Sequence, residues 1–156
     1  MGNYHSIETE FVERTLRLID QYYSVLDSYP FEEQFNYTLT INCLLGLIVM
    51  PKERVISYVP TNRLTRDYLA EIGAPSLKVG ENISTLRDLI KSLRNAVAHF
   101  DITVISVDER NLVDWLEFSD SDNDGALVAS FRSSELLPFL RYYADCLLTN
   151  MERHRG

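Results

Sequence analysis

The chain has 156 residues, 46% of them hydrophobic, which supports one sizeable core and is too short for two full domains. Its longest apolar run, Leu39 to Met50, is interrupted by Asn42 and Gly46 and falls short of the roughly 20 residues that span a bilayer, so a helical membrane protein is excluded. A formal charge of −8 argues against a nucleic-acid partner only until its distribution is read: residues 101–124 hold eight acids against Arg110, whereas residues 52–94 hold eight basic and five acidic side chains.

In chain order, Ile7, Phe11, Leu18, Tyr22, Val25 and Leu26 recur at helical spacing, and Pro30 closes a first helix over about 6–28. A second helix is expected over about 31–50. It is apolar around most of its later circumference, with Gly46 admitting a close neighbour, Asn42 as a satisfied buried amide and Pro51 as its stop. Residues 51–81 are punctuated by Pro and Gly, with one short helix expected around 62–72. Capped at Asn82 or Ser84, the clearest helix carries Leu86, Leu89, Ile90, Leu93, Val97 and Phe100 along one face. Three short strands follow, in ITVISV, LVDWLEF and ALVASF, joined by the turns DERN and SDSDND. Ser133 or Ser134 then caps a last helix. The expected class is mainly α (α+β): a single domain over 1–156, a helical bundle with a small three-stranded antiparallel meander before the last helix.

Several polar groups invite a chemical reading. DSDNDG, residues 120–125, begins like a calcium-binding loop, but position twelve is Phe131 where a bidentate Glu is needed, so a hairpin turn is the better reading and no metal site is expected. His5 and His154 lie near the termini without acids or cysteines at ligand spacing and are expected to be solvated. Cys43 and Cys146 read as buried free thiols of a reducing cytoplasm. There remain Arg94, Asn95 and His99 in LRNAVAHFDI. The apolar stripe of that helix spans a sector of roughly 100°, and these three side chains lie outside it, on a face flanked by Ala96 and Ala98. They form either a solvated helix face or a site.

RNAVAH resembles the Arg-x4-6-His signature of the HEPN superfamily, including the polar residue after the arginine. Together with FVERTLRLI (11–19) and INCLLGLIVMPKE (41–53), it is similar to a branch of plasmid-borne bacterial proteins described as HEPN nucleases. The resemblance implies a HEPN-type bundle and a homodimer whose motif helices line a shared cleft. It also implies metal-independent cleavage of RNA in a toxin–antitoxin or defence setting, with no cofactor and an antitoxin protein as a candidate partner. Carried over, His99 serves as general base or acid for 2′-hydroxyl attack on the adjacent phosphorus. Arg94 stabilises the phosphorane charge, Asn95 orients His99 or the phosphate, and Arg87 and Lys91 bind RNA beside them. The alternative is a noncatalytic HEPN-like module that binds a nucleotide, RNA or a protein with the same face. Asp101 stands where the nucleotidyltransferase-regulated toxins of the superfamily commonly carry a tyrosine, so regulation at that tyrosine is not available here.

Overall fold

The computed structural model describes residues 3–110 and 112–154. Asn111, at the end of the expected DERN turn, lies outside the described residues. Helix α1 (Ile7–Val25) continues into a 3-10 turn at Leu26–Ser28, and a second such turn at Phe31–Glu33 precedes α2 (Asn36–Val49). Two short helices follow, α3 (Glu53–Ile56) and α4 (Arg66–Glu71), then strand β1 (Lys78–Val79) and helix α5 (Leu86–His99). Strands β2 (Ile102–Ile105), β3 (Trp115–Asp120) and β4 (Ala126–Arg132) lead into α6 (Ser133–Arg153).

The expected meander is present as β2, β3 and β4, but the sheet has a fourth strand. β1 pairs antiparallel with β4, giving the order β1-β4-β3-β2. Two residues carry too short a pattern to announce themselves, and β1 exists because β4 offers it an edge: Lys78 stands opposite Ser130 and Val79 opposite Ala129. Glycine is needed directly after it, where Gly80 N–H donates to Val128 C=O and an added Cβ would lie 2.0 Å from the Leu127 carbonyl oxygen.

The core lies between the helices and one face of this sheet. On α5, Leu86, Leu89, Ile90 and Leu93 are fully buried, packed against α2 on one side and β3 and β4 on the other. Leu116, Phe118, Ala129 and Phe131 supply the sheet's contribution. On α1 the buried positions are Thr9, Val12, Thr15 and Ile19, while Ile7, Leu18 and Val25 are exposed. The expected apolar face of that helix is therefore split: Ile7, Leu18 and Val25 face outward while Phe11 packs on the core, and Thr9 and Thr15 share the buried side with Val12 and Ile19. Gly46 of α2 receives α1 as anticipated, since a Cβ there would meet the Phe11 ring at 3.4 Å. Asn42, expected to be a buried amide, is exposed. Cys43 is buried and Cys146 half-buried, both as free thiols. Among the described residues, no helix is long and apolar enough to cross a membrane.

The cap of α5 is Thr85, three residues beyond Asn82. Its hydroxyl accepts from the Asp88 N–H at 3.2 Å, and the Asp88 carboxylate accepts from the Thr85 N–H at 3.1 Å, a complete capping box. The Thr85 hydroxyl, followed by its N–H and Ser84, holds the Asp88 carboxyl below its usual range. Replacing Thr85 with alanine is expected to cost about 1 kcal/mol by urea denaturation at neutral pH. A carboxyl depressed in the folded state contributes stability above its unfolded pKa and loses it as pH falls through the folded value. The advantage of wild type over Asp88→Asn is thus expected to be complete well above pH ~4 and to decline only as the pH falls below it.

Candidate functional site

α5 ends on a reversal that decides where the motif points. Phe100 adopts the left-handed conformation at φ 56°, and its N–H and that of Asp101 close back onto Val97 and Ala96. The backbone then enters β2 directly. Phe100 consequently leaves the apolar stripe to which it was assigned and stands 76% exposed, whereas Ala96, expected on the displayed flank, is buried. Asp101 ties the helix end to the β3–β4 hairpin: its carboxylate accepts from the Ser121 N–H at 3.0 Å, and Ser121, first through its side chain and then through this N–H, lowers its pKa. Asp101 therefore holds the hairpin against the motif helix.

Arg94, Asn95 and His99 all lie outside the core, but one chain does not bring Arg94 and His99 to the same point. Five residues of α-helix rotate a side chain by about 500°, leaving the two roughly 140° apart around the axis. Arg94 turns towards α3, where its Nη1 donates to Glu53 Oε2 at 3.2 Å. His99 turns the other way, its Nε2 lying 3.5 Å from Asp122 Oδ2 in the hairpin. Asn95 is exposed between them, one turn before His99. Lys91 is exposed on the same helix, whereas Arg87 is half-buried and its Nε donates to the Val59 carbonyl at 2.9 Å. Arg87 thus anchors α5 to the segment after α3.

Glu53 and Asp122, at the Arg94 and His99 contacts, escaped notice in the sequence. Both are largely exposed, at 69% and 70%, and ion pairs of that kind contribute only about 0–1 kcal/mol, so a phosphate can displace either. Asp122 belongs to the segment that mimics a calcium loop. The structure makes that segment a turn, Ser121–Asn123, followed by Asp124 and Gly125 at positive φ. Among the described residues, no group of three or more His, Cys, Asp or Glu side chains is placed to hold a metal ion.

Tyr143 of α6 is fully buried, with a hydroxyl that has no hydrogen-bond partner. Burial pushes its pKa up, against the pull of the Arg94 charge. An unsatisfied buried hydroxyl is a cost, so Tyr143→Phe is expected to raise stability by about 1 kcal/mol, read as a higher denaturation midpoint. A lower midpoint would mean that the hydroxyl has a partner the fold depends on.

The model of the HEPN pEK499 p136 family matches residues 1–154. The chain belongs to this HEPN family. No curated protein and no solved structure matches it. HEPN membership supports a nuclease-like or nucleotide-binding module as the general class of function. It also gives the motif helix its context: in this HEPN chain the Arg-x4-His pair straddles α5, one member on the α3 side and the other on the hairpin side.

Proposed function

We propose that the protein is a homodimeric, metal-independent endoribonuclease of a bacterial toxin–antitoxin or defence system, formed by one domain over 1–156 and acting in the cytoplasm without a cofactor. The observation that carries this reading is the exposed face of α5, with a permanent cation, an amide and an imidazole outside the core and only weak surface contacts on the cation and the imidazole. His99 takes the proton of an RNA 2′-hydroxyl, the oxygen attacks the adjacent phosphorus, and the P–O5′ bond breaks as the 5′-oxygen takes up a proton from water, giving a cyclic phosphate and a 5′-hydroxyl. Arg94 stabilises the charge that builds on the phosphorus oxygens, Asn95 orients the phosphate or the imidazole, and Lys91 and Arg87 neutralise flanking phosphates. Because Arg94 and His99 diverge within one chain, two α5 helices across a two-fold axis would supply the arginine and the imidazole of each site from different copies. A bound antitoxin protein would cover the same face.

Incubating the purified protein with a broad RNA panel in EDTA tests the reading. The expected result is cleavage with 2′,3′-cyclic phosphate ends; RNA that stays intact throughout, or that is cut only with added divalent cation, overturns it. A second reading, a noncatalytic HEPN module, is favoured by one observation: both motif groups are already engaged by carboxylates of the same chain. It predicts RNA or nucleotide binding on this face without cutting.

A further inference from the structure

On the other side of α3 from Arg94 lies a cleft of about 230 Å³ between the first turn of α1, α3 with the residues after it, and the end of α6. Glu8, Thr9, Arg54, Tyr58, Asn150 and His154 line it. Three features of the cleft are unexplained by folding alone. Asn150 is 7% exposed and lines the cleft, yet its Nδ2 has no hydrogen-bond partner, which leaves a buried amide donor unsatisfied. The Tyr58 and His154 rings stack 3.4 Å apart and 10° from parallel, an aromatic platform assembled from two elements. Arg54 lies only loosely against Glu8, at 3.8 Å, and Lys52 contacts the same carboxylate. Two cations thus face one acid, and Arg54 can exchange its distant partner for a closer anion.

We propose that this cleft binds a nucleotide, at a place distinct from the Arg94–His99 face. Flat aromatic side chains are sequence-tolerant stacking surfaces for bases, an amide reads a base edge, and a guanidinium takes a phosphate in a forked contact. The base lies against the Tyr58–His154 pair, Asn150 Nδ2 donates to a ring acceptor, and the phosphate sits at Arg54. The first turn of α1 is already supplied with Glu8 and Glu10, so the phosphate is held by Arg54 in place of its distant contact with Glu8. The volume sits just below the ~300–1,000 Å³ of pockets that enclose whole drug-sized ligands, so the cleft takes one ring system and one anionic group while the sugar stays at the mouth. The inference rests on the cleft alone and not on RNA cleavage by the motif.

Titration calorimetry of the full chain with adenosine, cytidine, guanosine and uridine 5′-monophosphates tests it. At least one is expected to bind saturably, and Arg54→Ala, Tyr58→Ala and Asn150→Leu are each expected to weaken that binding about tenfold or more. Arg54 and Tyr58 are exposed, so their variants keep the test valid should Asn150→Leu fold poorly. His99→Ala is expected to bind like wild type. No saturable binding by any of the four, or binding that His99→Ala abolishes and the cleft variants leave untouched, overturns the proposal. A short 5′-phosphorylated RNA competing with the mononucleotide would assign the site to a strand end, and failure to compete would assign it to the free nucleotide. Both outcomes keep the cleft as a nucleotide site.

Discussion

If the protein is the proposed ribonuclease, His99→Ala is expected to lower RNA cleavage by about 100- to 10,000-fold, the usual contribution of a positioned acid or base, with the oligomeric state and the denaturation midpoint unchanged. The unchanged fold follows from the surroundings. His99 stands at the end of α5 with its side chain 47% exposed, and its contact with Asp122 is a surface one. Arg94→Ala is expected to lose activity comparably, because a developing phosphorane charge is left without its cation. The divergence of the two side chains adds a sharper expectation. Neither variant is active alone, but in a random mixture half the dimers pair one of each. One of the two sites in such a dimer then holds both an intact arginine and an intact histidine, so about a quarter of wild-type activity should return. A mixture as dead as its components would show that each site draws both groups from one copy. A fully active His99→Ala would remove the imidazole from the chemistry altogether.

Gly73→Ala is expected to destabilise the fold by about 2–5 kcal/mol, against a typical total of about 5–15 kcal/mol for a domain. Two effects add. Gly73 holds φ at +81° after α4, where a side chain costs roughly 1–2 kcal/mol. A Cβ would also lie 2.7 Å from the Cβ of Pro138 and 2.8 Å from its carbonyl carbon, and relieving such overpacking costs about 1–3 kcal/mol. Gly125→Ala is the matched control, with φ +72° and nothing within 4 Å, so only the backbone cost applies. Urea midpoints that fall equally for both variants would show that α6 does not resist the Cβ at Gly73.

Where a local pattern had a single structural answer, the sequence was a good guide. The α5 stripe from Leu86 to Leu93, the three strands of the meander and the hairpin turn at DSDNDG all appear in the fold as anticipated. Patterns that depend on partners far away along the chain were not readable. β1 is two residues long and owes its existence to β4, some fifty positions later. On α1, Ile7, Leu18 and Val25 form a more apolar stripe than Thr9, Val12, Thr15 and Ile19, yet the second set is the one that faces α2 and α6 and is buried. Phe100 looked like core until the left-handed turn at the helix end carried it outward.

The site shows the same division. Arg94, Asn95 and His99 could be picked out because helical geometry alone keeps them off the apolar stripe. Glu53 and Asp122 could not, since an acid in a four-residue helix and one in a hairpin turn look like ordinary surface charges until the fold sets them against Arg94 and His99. Nor does the spacing of Tyr58, Asn150 and His154 hint that they line one cleft.

The packing of α5 between α2 and the sheet has a consequence for the chain as it is being made. α2 leaves the ribosome before α5, but β3 and β4, which cover the helix from the other side, are translated after it. Until Arg132 has emerged, Leu86, Leu89, Ile90 and Leu93 lack part of their seat, and until Ser121 has emerged Asp101 has no hairpin amide to hold. A nascent chain arrested inside the meander therefore carries the whole Arg-x4-His motif without the scaffold that aims it. The face of α5 that carries Arg94 and His99 is thus set in place only late in synthesis, when the hairpin closes on it.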